Sequence, residues 1–522
     1  MAFALPTMHD GNRRWWTLGA MCFALFMVML DNTVVNVALP SIQRDLDVSI
    51  SGLEWTVNAY TLTFAVLLVT GGRLGDIFGR RRGFLIGVAV FGSASLFIAF
   101  SQTAEWLVAG RAIQGVGAAF MMPATLSIIS NAFPAHERGK AIGTWAGASA
   151  IALAIGPVVG GFLVEHVSWQ SIFLINVPVA IAAVVVALWA TDESRDETAA
   201  RIVDIPGVVL LTAGLTALVL ALVEGNAWGW GSPQIIGLLA VAALSAPAFV
   251  MAELRSPAPM VDFATFRSRS FLGANLVAFI VSFAMLAMFF FLALYMQNVR
   301  GYSPLEAGVR FLPSTLVIIV VGPIAGRWSD RIGPRPLMVG GLLMVAASLF
   351  WQSFLAVDTT YGYLVGAFVL MGVGMGLVMS PMSTAAMNSV SADKAGVASG
   401  VLSMFRMVGG TFGVAVTGAL ISTIGSSRLA SALPAATQGQ IDALTERIAS
   451  GGAGLGGRES VAVQQAFLDA LNTSLKIGSL VAVIGAFFAW RLIADRAERP
   501  VEQAEPAADA VLVETAHEPV HA

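Results

Sequence analysis

Two charged side chains sit where charge is expensive. Asp31 lies 16 residues into an apolar run that begins at Trp15, within Leu30-Asp31-Asn32-Thr33-Val34-Val35-Asn36-Val37-Ala38-Leu39-Pro40. A charge at that depth of a bilayer costs about 3 kcal/mol or more, so it normally has a partner or a job. A carboxyl held there can bind and release a proton near neutral pH. Arg111 is the only basic residue deep in an apolar run of the first half, and Gln114, three residues on, shares its helix face. Two readings are open: a proton-coupling site of Asp31 and Arg111, or a structural ion pair. Both put the pair toward the interior, because neither group can face lipid.

The second half has no acidic residue deep in any apolar run. Its deep cation is Arg406, followed by Gly409, Gly410 and Gly413, small residues that permit close helix packing. Arg406 either bonds backbone carbonyls or joins a substrate cavity. Candidate cavity residues are Asn36, Asn58, Gln114, Tyr295, Gln297 and Arg406. Glu306 lies one turn before Arg310 and can pair with it. Glu54 and Glu224 fall at the ends of runs and are expected to be solvated. Met285, Met288, Phe289, Phe290, Phe291, Tyr295 and Met296 form soft, aromatic surface suited to varied ligands, or else simply pack or face lipid.

The elements that must position these groups are membrane spans. The 522 residues are 57% hydrophobic and 12% charged, with a mean hydropathy of +0.79. No soluble surface could be built from that composition. A net charge of −3 leaves no basic field for nucleic acid. The single cysteine, Cys22, excludes a disulfide or a thiolate cluster within one chain, and no histidine lies deep in an apolar run. No metal or cofactor is expected. Trp15 to Leu39 is too long for a signal-peptide core and reads as a retained first span.

Runs of about 20 apolar residues cross a bilayer. Fourteen are expected, near 15–38, 55–71, 83–101, 106–129, 141–164, 171–190, 205–223, 234–252, 271–296, 306–325, 337–356, 361–385, 397–424 and 475–493. With the N-terminus inside, 20 of the 29 Lys and Arg residues fall in inside segments. Both termini are therefore expected in the cytoplasm.

A phrase repeats. Residues 72–80 read Gly-Arg-Leu-Gly-Asp-Ile-Phe-Gly-Arg, and residues 326–335 read Gly-Arg-Trp-Ser-Asp-Arg-Ile-Gly-Pro-Arg. The copies centre on Asp76 and Asp330 and follow spans 2 and 10, so two spans are additional to a pair of six-span halves. The expected division is a first half, 1–190, and an inserted pair of helices with its flanks, 191–270. A second half, 271–494, includes an outside loop, 425–472, and an acidic tail, 495–522, is expected to be disordered. Two related halves that repeat a charged hinge between spans are the architecture of alternating access.

With these motifs assembled, the chain resembles the major facilitator superfamily. Within it the match is to fourteen-span drug:proton antiporters of the EmrB/QacA type, over nearly the whole chain. Leu30 to Pro40 looks like that family's first-span signature. Gly72, Leu74, Asp76, Gly79, Arg80 and Arg81 look like the superfamily's hinge motif, with Asp330 and Arg331 as a weaker counterpart. Arg111, Gln114, Gly115 and Gly117 look like the span 4 motif linked to proton coupling. Gly143, Gly156, Pro157, Gly160 and Gly161 look like the antiporter motif that marks exporters. Trp169 with Ile172-Phe173-Leu174-Ile175-Asn176-Val177-Pro178 looks like the start of span 6, and Gln297 with Gly301-Tyr302-Ser303-Pro304 like the stretch joining spans 9 and 10.

The sequence departs from the pattern at Ala152, where Gly is usual, and at Gln170, where Arg usually follows Trp. The missing deep acids of the second half argue against polyvalent cations as cargo. The resemblance implies an all-α polytopic protein of the bacterial cytoplasmic membrane. It implies a monomer, no enzyme, that exports amphipathic drugs or antibiotics in exchange for protons. Export of a lipid or endogenous metabolite is the alternative. A transporter-like sensor would need a soluble domain for which the tails leave no room.

Overall fold

The computed structural model of the chain describes residues 10–133, 135–195, 204–257, 259, 261, 263–390, 395–448 and 455–494. Among these there are helices and no strands. The first half holds α1 (Asp10–Leu46), α2 (Ile50–Phe78), α3 (Arg80–Ala99), α4 (Ala104–Ala132), α5 (Ala135–His166), the single turn α6 (Ser171–Leu174) and α7 (Asn176–Ala190). Then come α8 (Ile205–Trp228) and α9 (Pro233–Arg255). The second half holds α10 (Arg269–Leu294), α11 (Pro304–Ile332), α12 (Pro334–Gln352), α13 (Tyr361–Asn388), α14 (Ala395–Ala432), the short α15 (Gln438–Glu446) and α16 (Gly457–Leu492).

Fourteen of these helices run 15 residues or more, one for each expected span. Twelve segments of the described residues combine the length and apolarity needed to cross a membrane. The helices α2 and α5 fall outside that set. Their sequences carry charge near both ends, with Glu54, Arg73 and Asp76 on α2, and Glu137, Arg138, Lys140 and Glu165 on α5.

Helix starts follow local chemistry. Ser49, Thr103, Ser232 and Ser268 each accept an N–H of the first turn of α2, α4, α9 and α10. Ser303 and Glu306 close a reciprocal capping box on α11. The repeated phrase has a repeated backbone. Gly79 ends α2 and opens α3 at φ +120°, and Gly333 ends α11 and opens α12 at φ +85°. Only glycine takes those angles without strain, which explains its fixed place in both copies.

The halves meet along two seams, α2 against α14 and α5 against α11. The second seam is a backbone-to-backbone approach. A methyl on Gly308 would run into the Pro157 carbonyl, and one on Gly161 into the backbone of Pro304 and Leu305. These contacts lie at the end of the bundle opposite the hinge glycines, called here the far end. Also at the far end, Gln297 donates to the Val37 carbonyl at 2.8 Å and Asn298 to Gln43 at 3.3 Å.

Of the pair α8 and α9, α8 packs on α9, α2 and α14. Val219 and Val223 of α8 pack on Leu62 and Val66 of α2 and on Ala415 of α14, covering the first seam. Along α9 only Ile235, Ser245 and Glu253 are buried, as expected of a lipid-facing helix. The stretch 425–472, expected as an open loop, is largely helical. It comprises the last turns of α14, the whole of α15 and the start of α16. Ile441, Leu444 and Ile448 bury themselves in the main core, and that burial orders a segment whose composition suggested a loop. The tail 495–522 lies outside the described residues.

Candidate functional site

Asp31 is fully buried in the middle of α1, with Arg111 1% exposed on α4 opposite it. Arg111 Nη1 donates to Asp31 Oδ2 at 2.5 Å and to Gln114 Oε1 at 2.8 Å, and its Nε donates to the Thr56 carbonyl at 2.9 Å. Asp31 Oδ1 accepts from Asn176 Nδ2 at 3.0 Å and from Gln114 Nε2 at 3.3 Å. Ser95 on α3 accepts from both of those amides, at 3.3 Å and 2.7 Å. The guanidinium lies 4.3 Å from the Tyr60 ring centroid and 5.9 Å from that of Phe173. Five helices, α1, α2, α3, α4 and α7, therefore converge on one carboxylate.

Every group that touches Asp31 presents a donor. A carboxylate is an acceptor only when ionised, so this arrangement holds the charged form. Burying such a pair is justified only where every lone pair and proton is satisfied. Here the two amides complete the set. The sequence named Asp31, Arg111 and Gln114. Asn176 appeared only as part of a motif, and nothing in a lone serine or tyrosine singled out Ser95 or Tyr60.

The other cavity candidates separate. Gln114 has both ends of its amide engaged around Asp31 and offers nothing further to a ligand. Asn36 is 8% exposed and donates to the Asn32 carbonyl at 3.1 Å. Asn58 is fully buried, and neither its Oδ1 nor its Nδ2 has a partner. Tyr295 and Gln297 lie at the far end, bound to the carbonyls of Ala356 and Val37, on a single π-turn that follows α10. Arg406 is half-buried on α14, and its Nε has no acceptor. Phe290, Phe291, Tyr295, Met288 and Met296 are buried in the core of the second half, so they do not face lipid.

At the hinge end, the backbone N–H groups of Arg81 and Arg82 donate to the two oxygens of Glu193 at 3.0 and 3.3 Å. Arg80 N–H donates to the Ser194 carbonyl at 2.8 Å, and Arg81 Nη2 to the Leu188 carbonyl at 2.7 Å. Glu193 thus caps α3 from the segment after α7, as an anion at a helix N-terminus. It lies in the flank 191–204 of the expected inserted pair and was not singled out from the sequence. Gly72 packs against Pro123 of α4. Arg331 is exposed, and the side chains of Asp76 and Asp330 lie outside those described.

The antiporter-like glycines bring α5 onto both halves. Gly156 receives Thr33 and Gly160 receives Val34, both of α1, while Gly161 receives α11. Gly143 lies in the same helix, and Ala152 is fully buried in it. Beyond the end of this span, the Ser303 hydroxyl and the Leu305 N–H hold the Glu165 carboxyl below its usual range.

Of two rim glutamates, one follows expectation and the other departs from it. Glu306 pairs with Arg310 at 3.6 Å, as its spacing suggested. Glu54, expected to be solvated, is 2% exposed, and its Oε2 has no partner. The reason is tertiary: α14 covers that end of α2 through Gly418, whose missing side chain leaves room for the carboxyl.

Residues 21–414 match the profile of the Major Facilitator Superfamily. The chain is similar to the tetracenomycin C resistance and export protein of Streptomyces glaucescens, 39% identical over 80% of this chain and 78% of that one. It is 38% identical to the multidrug resistance protein Stp of Mycobacterium tuberculosis (strain CDC 1551 / Oshkosh), over 78% and 75% of the two chains. It is also 38% identical to the puromycin resistance protein pur8 of Streptomyces alboniger, over 84% and 88%. In fold it is similar to a bacterial homologue of the human lysosomal transporter Spinster, solved in an inward-facing and unoccupied conformation. That similarity has a TM-score of 0.64 and 17% identity, and covers 92% of this chain and 97% of the other. The chain is a multi-pass membrane transporter that belongs to the Major Facilitator Superfamily, among relatives that are antibiotic and multidrug resistance and export proteins.

Proposed function

We propose that this protein exports amphipathic drugs or antibiotics across the bacterial cytoplasmic membrane in exchange for protons, by alternating access. The observation that carries the reading is the Asp31 site: a buried carboxylate at mid-membrane, held by three donors from two other helices, α4 and α7. The relatives' names support the class of cargo. The Lys and Arg bias supports a cytoplasmic hinge end and cytoplasmic termini. On that orientation, the closed seams at the far end support reading this as the inward-facing state.

The cycle follows from that assignment. Substrate enters the central cavity from the cytoplasm or the inner leaflet. Asn36, Asn58 and Arg406 offer it polar contacts. The Arg406 guanidinium, with no acidic partner among the described residues, favours a substrate with an acceptor or acidic group. Rocking of the halves parts the α2–α14 and α5–α11 seams and opens the cavity outward. The hinge around Gly79, Arg80, Arg81 and Asp76, with Asp330 and Arg331, locks the cytoplasmic side. A proton then displaces Arg111 from Asp31, substrate leaves, and the protonated carrier resets. The protein works as a monomer.

Asp31→Asn tests this, because asparagine keeps the shape and cannot carry the charge. The variant should lose drug uptake into inverted vesicles driven by a pH gradient, while still binding drug. Wild-type uptake by the variant at an equal gradient would overturn the proposal.

A further inference from the structure

Glu54 is a buried carboxyl for which the exchange at Asp31 has no use. It lies on the first turns of α2, and Gly418 of α14 in the other half sits directly over it. Beside it stands a second carboxylate, Glu224, brought in by α8. Glu224 Oε1 accepts from Ser51 Oγ at 2.8 Å and from Trp55 Nε1 at 2.9 Å. Those two donors lie three residues before Glu54 and one after it, on the same stretch of α2. Those two donors are thus committed to Glu224, and Glu54 Oε2 has no partner.

The other charged groups around it do not compensate. Glu224 acts on it from α8, whereas α14 presents the uncharged Thr417 and Gly418. Glu105, at the start of α4, and Arg44, Asp45 and Asp47, at the end of α1, are all exposed. Among the described residues no cation pairs with Glu54. Arg44 is bound within α1, to the Pro40 carbonyl and Ser41. An unpaired carboxylate in such a place is a severe desolvation penalty, whereas a neutral acid is not. Two carboxylates in one site also cannot both ionise freely.

We propose that Glu54 is a second proton-binding site, a latch on the outer gate. Its carboxyl carries a proton while α2 and α14 are closed over it and surrenders that proton to the outside when they part. The step is a simple protonation: Glu54 COO⁻ with an external proton gives Glu54 COOH, which Gly418 can then cover. The inserted helix α8 gains a role from this, since its Glu224 claims the local donors and leaves Glu54 to the proton. External acidity would then favour return to the inward-facing state, which is the empty carrier's direction of reset. The inference rests on the exchange reading for which face is outside and for the direction of that reset.

The test is a distance measurement on the reconstituted full chain, without substrate. Spin labels at Gln102 and Ser427, on a Cys22→Ser background, report the separation of the halves at the far end. In the parent, the population at the short distance should rise about tenfold as the pH falls from about 8.5 to about 5.5. Glu54→Gln should hold the short distance at both pH values. Glu224→Gln removes the neighbouring charge, so the closing midpoint should move about one pH unit lower. A parent with no pH response, or a Glu54→Gln variant that keeps it, would overturn the latch, as would an unmoved midpoint in Glu224→Gln. Asp31→Asn separates the two readings. If it abolishes proton-driven uptake but keeps the gate's pH response, both stand. If the gate's response disappears in Asp31→Asn and survives in Glu54→Gln, the latch alone is wrong.

Discussion

Removing Arg111 offers the sharpest test of the Asp31 site. In Arg111→Ala, Asp31 keeps the Asn176 amide at 3.0 Å and the Gln114 amide at 3.3 Å, and loses the cation paired with it. Unit charges about 4 Å apart interact by about 4 kcal/mol at an effective dielectric near 20. The two remaining amides stay with the carboxylate, and water entering the vacated space screens it, so the stabilisation lost is smaller than that. The sign follows from the chemistry. Arg111 stabilises the ionised form, so without it Asp31 takes its proton at higher pH. If protons compete with drug, the midpoint for loss of drug binding on acidification moves up. Transport at neutral pH should fall and recover in alkaline buffer, because the lost cation no longer holds off the competing proton. Arg111→Lys keeps a point charge without the guanidinium's geometry and should shift the midpoint by less. Drug-binding titrations on detergent-purified protein, with a thermal melt to confirm folding, supply the measurement. A folded Arg111→Ala variant whose midpoint stays in place would show that the two residues are uncoupled.

Other residues yield shorter tests. Gly308→Val places a side chain against the Pro157 carbonyl, so it should cost about 1–3 kcal/mol of the closed far end and lengthen the Gln102–Ser427 label distance. An unchanged distance distribution would refute that seam's role. Glu193→Ala removes the acceptor for the Arg81 and Arg82 N–H groups, and should slow transport several-fold with drug affinity unchanged, because the hinge and not the cavity is altered. A change confined to affinity would count against it. Cysteine scanning on the Cys22→Ser background should find substrate-protected positions on α1, α2, α4, α5, α10, α11, α13 and α14. Protection concentrated on α8 and α9, and absent from α1 and α4, would refute the division into two halves with an inserted pair.

What the sequence conveyed well was whatever depends on cost. A charge in an apolar run is conspicuous because the penalty is large, and that alone brought Asp31, Arg111 and Arg406 forward. The repeated glycines were legible for a similar reason: Gly79 and Gly333 sit at positive φ, where substitution is strained, so the phrase keeps its spacing in both copies. Groups that cost little alone were not legible. Ser95, Tyr60 and Asn176 are ordinary residues of ordinary spans until three helices bring them against Asp31 and Arg111. Gln114 was legible as a neighbour of Arg111 but not as a fully committed one, since commitment depends on Ser95 from another helix.

Glu54 shows where reading along the chain gives the wrong answer. A glutamate at the first turn of a span looks solvated, because the penalty for charge fades toward the end of an apolar run. That estimate takes lipid and water as the only surroundings. Here a helix some 360 residues later lays a glycine over the carboxyl, and a helix outside both six-helix halves supplies a second carboxylate that takes the available donors. Neither fact has a local signature. Gly418 reads as one more small residue in a glycine-rich span, and Glu224 as a rim charge on an inserted helix. Their meaning comes from the seam between the halves, and the seam is the part of the molecule that an alternating-access cycle makes and breaks. A buried acid placed there experiences two environments in every cycle, one dry and one wet. Its protonation is therefore tied to the conformational step itself, whereas the same acid buried within one half would keep a constant environment throughout.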